Sequence, residues 1–170
     1  MATPENPVTE AVTENGELSA DIEHIREDVR QLLQEISKYG KKEDIVIVDG
    51  KPTINGDIYL VASSLKEFPG NITINGNVHI SSCSQMKSIG ENLTVNGNME
   101  IGDHTSIKSI GENLIVKGKL DIFFCGRIDR LPQNMRCETL EILTGSSGDK
   151  LIKDALRLKK EGKIGVLIIN

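Results

Sequence analysis

From Leu18 onward apolar residues recur at alternating intervals of four and three: Leu18, Ile22, Ile25, Val29, Leu32, Ile36 and Tyr39. That is the a/d seam of an amphipathic helix, which we place over residues 17–40. Glu23, His24, Glu27, Arg30, Gln31, Gln34 and Lys38 form its polar side. Ser19 and Asp21 stand where such a helix would start, and Gly40 where a glycine would end it. The seam has two readings. It is either a short coiled coil that makes a homo-oligomer through helix 17–39, or a cap docked on the domain that follows. Three heptads are short for a free-standing coil. Upstream, residues 1–16 are Pro, Thr, Glu and Asn with little to bury, and read as a disordered tail.

Beyond the helix the period falls to two. Ile45–Val48 and Lys51–Ile54 flank Asp49-Gly50, the signal of a two-residue hairpin. Then a unit repeats. Gly56, Gly76, Gly97 and Gly118 are 20, 21 and 21 residues apart, inside TINGDIYL, ITINGNVHI, LTVNGNMEI and LIVKGKLDI. Each copy runs on to an apolar pair: Leu65/Phe68, Met86/Ile89, Ile107/Ile110 and Ile128/Leu131. A worn fifth copy follows at Met135, Cys137, Leu140 and Ile142.

A fixed period near 20 residues predicts a solenoid, because one such coil has too little core to stand alone. Alternation puts Leu93, Val95, Met99 and Ile101 inside and Thr94, Asn98 and Glu100 outside. Stacking then sets Asn75 over Asn96, Asn77 over Asn98 and Thr73 over Thr94, polar ladders able to bond from coil to coil. We assign residues 44–146 to this solenoid, its hairpin included. Residues 147–170 read as its closing cap. There a helix starts at Ser147–Asp149 with Leu151, Ile152, Ala155, Leu156 and Leu158 on its apolar side, Gly162 ends it, and Ile164–Ile169 forms a last strand.

Ser88-IGENLTVNGNMEI and Ser109-IGENLIVKGKLDI resemble the short leucine-rich repeats of bacteria and phages, and Leu131-Pro-Gln-Asn-Met keeps their Leu-Pro form. The resemblance covers about residues 52–145. This chain departs from the standard unit by the extra glycine between its two strand segments. The fold expected is therefore a mainly β solenoid, leucine-rich-repeat-like or flatter and β-helix-like, with an N-terminal heptad helix and a C-terminal helix–strand cap. What the resemblance implies is a protein-binding scaffold, the unit itself carrying no activity.

Charge and composition narrow the partner. The net charge of −5 argues against a nucleic-acid or anionic-membrane surface. No stretch approaches the roughly 20 apolar residues of a membrane span, and the N-terminus lacks a secretory signal. Three unevenly spaced cysteines suit a reducing compartment. These features predict a cytoplasmic protein, of a bacterium or an infected host cell.

Two columns could carry chemistry. Cys83, His104 and Cys125 share one repeat position, but zinc wants four ligands at paired spacing, so we expect a buried structural slot and no metal. Tyr59, His79, Glu100, Asp121 and Glu141 form an outward column. It pairs no nucleophile with a base, so we expect neither catalysis nor a cofactor. We read it as a binding face for another protein with a basic surface, aided by Phe123 and Arg127 just past the fourth strand. The expected function is a non-enzymatic interaction module, such as a phage-encoded inhibitor of a host factor or a bacterial effector. The alternative is an oligomeric structural component of a virion or cell surface.

Overall fold

The computed structural model describes residues 26–38, 44–103, 105–143 and 148–170. Helix α1 spans Glu27–Ser37 and helix α2 spans Asp149–Lys160. Among the described residues, thirteen strands run between and after them. They are β1 (Asp44–Val48), β2 (Lys51–Asn55), β3 (Ile58–Val61), β4 (Glu67–Phe68), β5 (Thr73–Asn75), β6 (Val78–Ser81), β7 (Ser88–Ile89), β8 (Thr94–Val95), β9 (Met99–Gly102), β10 (Ser109–Ile110), β11 (Ile115–Ile122), β12 (Arg136–Ile142) and β13 (Ile164–Ile169).

The strands wind as a solenoid. Ile54, Ile74, Val95, Val116 and Cys137 stack in register along one run of parallel pairs. Leu60, Ile80, Ile101, Ile122, Ile142 and Ile169 stack along a second. The pairs β4–β7 and β7–β10 form a third, short sheet. It contains Phe68, Ile89 and Ile110, part of the apolar set that the repeat places inside. The expected inward positions Leu93, Val95, Met99 and Ile101 are all buried, as are Leu65, Met86, Ile107, Ile128 and Met135. Asp49 and Gly50 both take positive φ (51° and 74°), closing β1 antiparallel onto β2 as the Asp-Gly pair predicts.

Two features hold the coils at strand spacing. Glycine allows the backbones to close up: a Cβ on Gly76 would run into the Gly56 carbonyl, and one on Gly90 into the backbone of Gly70. Asparagine ladders bond one coil to the next. Asn75 donates to Asn55 at 2.7 Å and Asn96 to Asn75 at 2.5 Å. The backbone N–H of Asn98 donates to the Asn77 side chain at 2.9 Å, and that of Lys119 to Asn98 at 2.8 Å. A third ladder sits at a corner. Asn71, Asn92 and Asn113 all take φ between 53° and 60°, a region asparagine tolerates better than most residues. Their side chains bond in series at 2.9 and 2.8 Å.

The described N-terminal helix covers only part of the predicted seam. Arg26 lies at φ −54°, ψ 144°, so the backbone is extended there, and the described helix α1 begins at Glu27. Leu18, Ile22, Ile25, Tyr39 and Gly40 lie outside the described residues, as do residues 1–16, His104 and residues 144–147. The seam residues that α1 contains are Val29, Leu32 and Ile36, exposed by 0%, 0% and 4%. They belong to the solenoid core, against which α1 packs beside β3 and β4. Within one chain they are thus already covered, and an intermolecular coil could not use them without undocking the helix.

At the other end Leu151, Ala155 and Leu158 of α2 are buried over the last coil, Gly162 (φ 71°) ends the helix, and β13 pairs in parallel with β12. The expected helix–strand cap is present. No helix among the described residues is long and apolar enough to cross a membrane.

Candidate interaction face

The outward column expected from the repeat assembles in register. Tyr59 pairs with His79, His79 with Glu100, Glu100 with Asp121, and Asp121 with Glu141. Stacked parallel strands place these side chains about 5 Å apart, close enough for every charge to feel its neighbours. The column extends one residue further than the repeat suggests, because Glu141 pairs with Ile168 of β13.

The acids of this column are engaged by neighbouring side chains. His79 Nδ1 stands 3.2 Å from Glu100, and His79 Nε2 stands 3.0 Å from the Ser81 hydroxyl. Lys119, one column over, reaches both Asp121 (2.9 Å) and Glu141 (2.5 Å), and Asn170 donates to Glu141 at 2.6 Å. Glu141 and then Asp121 push the Lys119 pKa up, so the ammonium stays charged. Such half-exposed pairs contribute at most about 1 kcal/mol each. Their larger effect is on charge: the single Lys119 ammonium offsets part of the negative field expected to attract a basic partner. Sequence reasoning missed Lys119 as part of this face, although its spacing from Asn98 placed it in the neighbouring column.

The apolar residues of the face lie along its border. Tyr59 is 47% exposed at the first coil and Val61, two residues on, is 44% exposed. Tyr59 leans toward His79, with ring centroids 6.2 Å apart. Phe123 lies flat over Gly102, where a Cβ would collide with its ring. Phe124 meets Phe123 edge to face at 5.9 Å and is 46% exposed. Both phenylalanines therefore leave the core. Arg127 is exposed in the turn that follows.

Phe124 also sits in strained backbone. It continues a corner column of positive φ: Ala62 (52°), Ser82 (54°), Asp103 (52°) and Phe124 (50°). A bulky residue there costs of order 1 kcal/mol or more, where glycine or asparagine would cost little.

Of the second candidate column, Cys83 and Cys125 are described, both buried free thiols, while His104 lies outside the described residues. Cys83 Sγ lies 3.2 Å from the Ser81 carbonyl and 3.4 Å from that of Leu60. Cys125 Sγ lies 3.3 Å from the Ile101 carbonyl and 3.4 Å from the Thr105 hydroxyl. Burial pushes both thiols up, and Cys137 up to about 11, so all three stay protonated and poorly nucleophilic at neutral pH. Among the described residues no group of three or more His, Cys, Asp or Glu side chains is arranged to hold a metal ion.

No family model, no curated protein and no solved structure matches this chain.

Proposed function

We propose that this chain is a non-enzymatic protein-binding scaffold that presents the outer face of β3, β6, β9, β11 and β12 to a partner protein. The observation that carries this reading is the exposed, strained Phe124 on a rigid stack. A bulky aromatic held half-exposed at positive φ costs stability that a glycine or asparagine would spare, and such strain persists where surroundings and use require it. Tyr59 at the opposite border supplies a second anchor of the kind that dominates binding energy. Between them the column from His79 to Glu141 is rigid and polar. Its paired charges suit specificity more than bulk attraction, so a partner with basic groups would have to compete with Lys119 and His79 for the acids. The engagement of Asp121 and Glu141 by Lys119, and of Glu100 by the His79 ring, favours recognition over acid–base work. The likeness of the repeat to short bacterial and phage leucine-rich repeats makes an inhibitor of a host factor or a bacterial effector the concrete form of this proposal, acting in a cytoplasm.

The test is capture of a partner by the full chain and identification of what binds, followed by affinity measurements on Tyr59→Ala, Phe124→Ala and Glu100→Lys. The expected result is at least about a tenfold loss for each aromatic variant with the fold intact. Unchanged affinity in all three variants overturns the assignment of this face.

A further inference from the structure

The candidate face does not stop at Glu141. Strand β13 pairs in parallel with β12, which sets Ile168 beside Glu141 and Val166 beside Thr139. Leu167 packs against the core, so alternation turns its two neighbours outward, and they are exposed by 50% (Val166) and 37% (Ile168). One line of neighbours therefore runs from Tyr59 through His79, Glu100, Asp121 and Glu141 to Ile168. Its ends are five strand spacings apart, about 24 Å.

The line is ordered in polarity. Exposed apolar surface stands at both ends, Tyr59 and Val61 on the first coil and Val166 and Ile168 on the last strand. The three carboxylates lie between. Glu100, Asp121 and Glu141 set against Lys119 leave the middle with a net charge of −2, His79 counted neutral. A complementary partner is apolar at two ends and basic in its middle. Its backbone must also be satisfied. The face offers side chains and no strand edge, so an extended segment laid across it would leave its own N–H and C=O groups without strand partners. Strand addition at β13 is opposed by Lys159, which already bonds the Gly165 carbonyl. A helix satisfies its own backbone and packs on sheet faces, and about 16 helical residues cover 24 Å.

We infer that the partner element is an amphipathic helix of another protein, lying across the strands from Tyr59 to Ile168. Apolar side chains at its two ends pack on Tyr59 and Val61 and on Val166 and Ile168. Lysine or arginine side chains between them reach Glu100, Asp121 and Glu141. This inference rests on the protein-binding reading above, and adds β13 to the face and a shape and charge order to the partner.

The experiment is a selection on the full chain from a displayed library of alanine-rich helical peptides of about 18 residues. The library is randomised at the second, sixth, ninth, thirteenth and seventeenth positions, one helical stripe about 22 Å long. The expected result is enrichment of large apolar residues at the two outer positions and of lysine or arginine at the three inner ones. Affinity of an enriched peptide should fall at least about tenfold for Tyr59→Ala and for Ile168→Ser, both at exposed positions, with the Tm of each variant checked against the parent. No enrichment, or acidic residues at the inner positions, overturns the inference. A loss with Tyr59→Ala but none with Ile168→Ser overturns the two-ended contact and leaves the protein-binding face standing. Indifference to Tyr59→Ala, Glu100→Lys and Ile168→Ser alike overturns this inference and the assignment of the face together. Equal affinity for a short extended peptide with the same order of side chains overturns the helical form.

Discussion

At the N-terminal end of the stack, α1 buries Val29, Leu32 and Ile36 over the first coil together with one acid, Glu35. At the C-terminal end, α2 buries Leu151, Ala155 and Leu158 over the last coil, again with one acid, Asp154. Glu35 accepts from the Ser63 and Ser64 hydroxyls, each at 3.0 Å, and pairs with Lys38. Asp154 accepts from the Arg130 guanidinium at 2.8 Å and from the Leu131 backbone N–H at 3.2 Å. Two unrelated helices thus solve the same problem in the same way: apolar residues cover the open core, and one anchored carboxylate fixes the helix on the coil. The ends differ in their edges. At the first, β1 folds back antiparallel over β2; at the last, β13 continues the stack and leaves its outer side apolar. Capping a solenoid core and protecting its strand edge are therefore separate tasks, and only the first is done alike at both ends.

The largest expected effect comes from opening either cap. Leu32→Ala and Leu158→Ala should each cost about 2–5 kcal/mol, read from urea unfolding at pH 7. If Leu158→Ala proves near neutral while Leu32→Ala does not, the two caps are not equivalent. A break in the middle of the stack sharpens the same contrast. Gly90→Ala drives a Cβ into the Gly70 backbone and should cost about 1–3 kcal/mol, at the upper end because backbone and not a side chain must yield.

Removing one anchoring acid comes next. Glu35→Gln should cost about 1–3 kcal/mol at neutral pH. Its signature is pH dependence. Lys38, with help from Ser63 and Ser64 against the cost of burial, holds Glu35 below its ordinary value of 4.5. The unfolded chain therefore takes up this proton at higher pH than the folded one. The contribution of Glu35 is fully present above pH 4.5 and fades as pH falls through the lower native value. Glu35→Gln should flatten that acid limb of the stability curve. An acid limb unchanged by the substitution would detach Glu35 from the cap.

The smallest effect has the opposite sign. Phe124→Asn relieves a bulky residue at φ 50° and should raise stability by about 1 kcal/mol, measured as a higher Tm. A loss of stability instead would mean that the Phe123–Phe124 contact matters more than the backbone strain.

Much of this architecture was legible because the repeat forces alternation and register at once. Once Gly56, Gly76, Gly97 and Gly118 are aligned, Leu93, Val95, Met99 and Ile101 must face inward, and Asn75 must meet Asn96. The column from Tyr59 to Glu141 follows from the same alignment. What escaped were properties that no single-coil pattern encodes. The heptad seam runs unbroken through Arg26, yet the backbone leaves the helix there, where the guanidinium pairs with Asp28 and bonds Gly70. The short third sheet was invisible because β4, β7 and β10 have only two residues each, too few to alternate. Lys119 was overlooked on the candidate face because it interrupts a run of asparagines, and only the three-dimensional reach of its side chain to Asp121 and Glu141 reveals its part.

The central claim is that α1 closes its own chain and does not assemble copies. Light scattering on the full chain and on Leu32→Asp tests it most directly. The account predicts 18.6 kDa for the parent, and a variant that loses its cooperative unfolding transition or aggregates. A parent that is a stable dimer or trimer, converted by Leu32→Asp into a well-folded monomer, would contradict it.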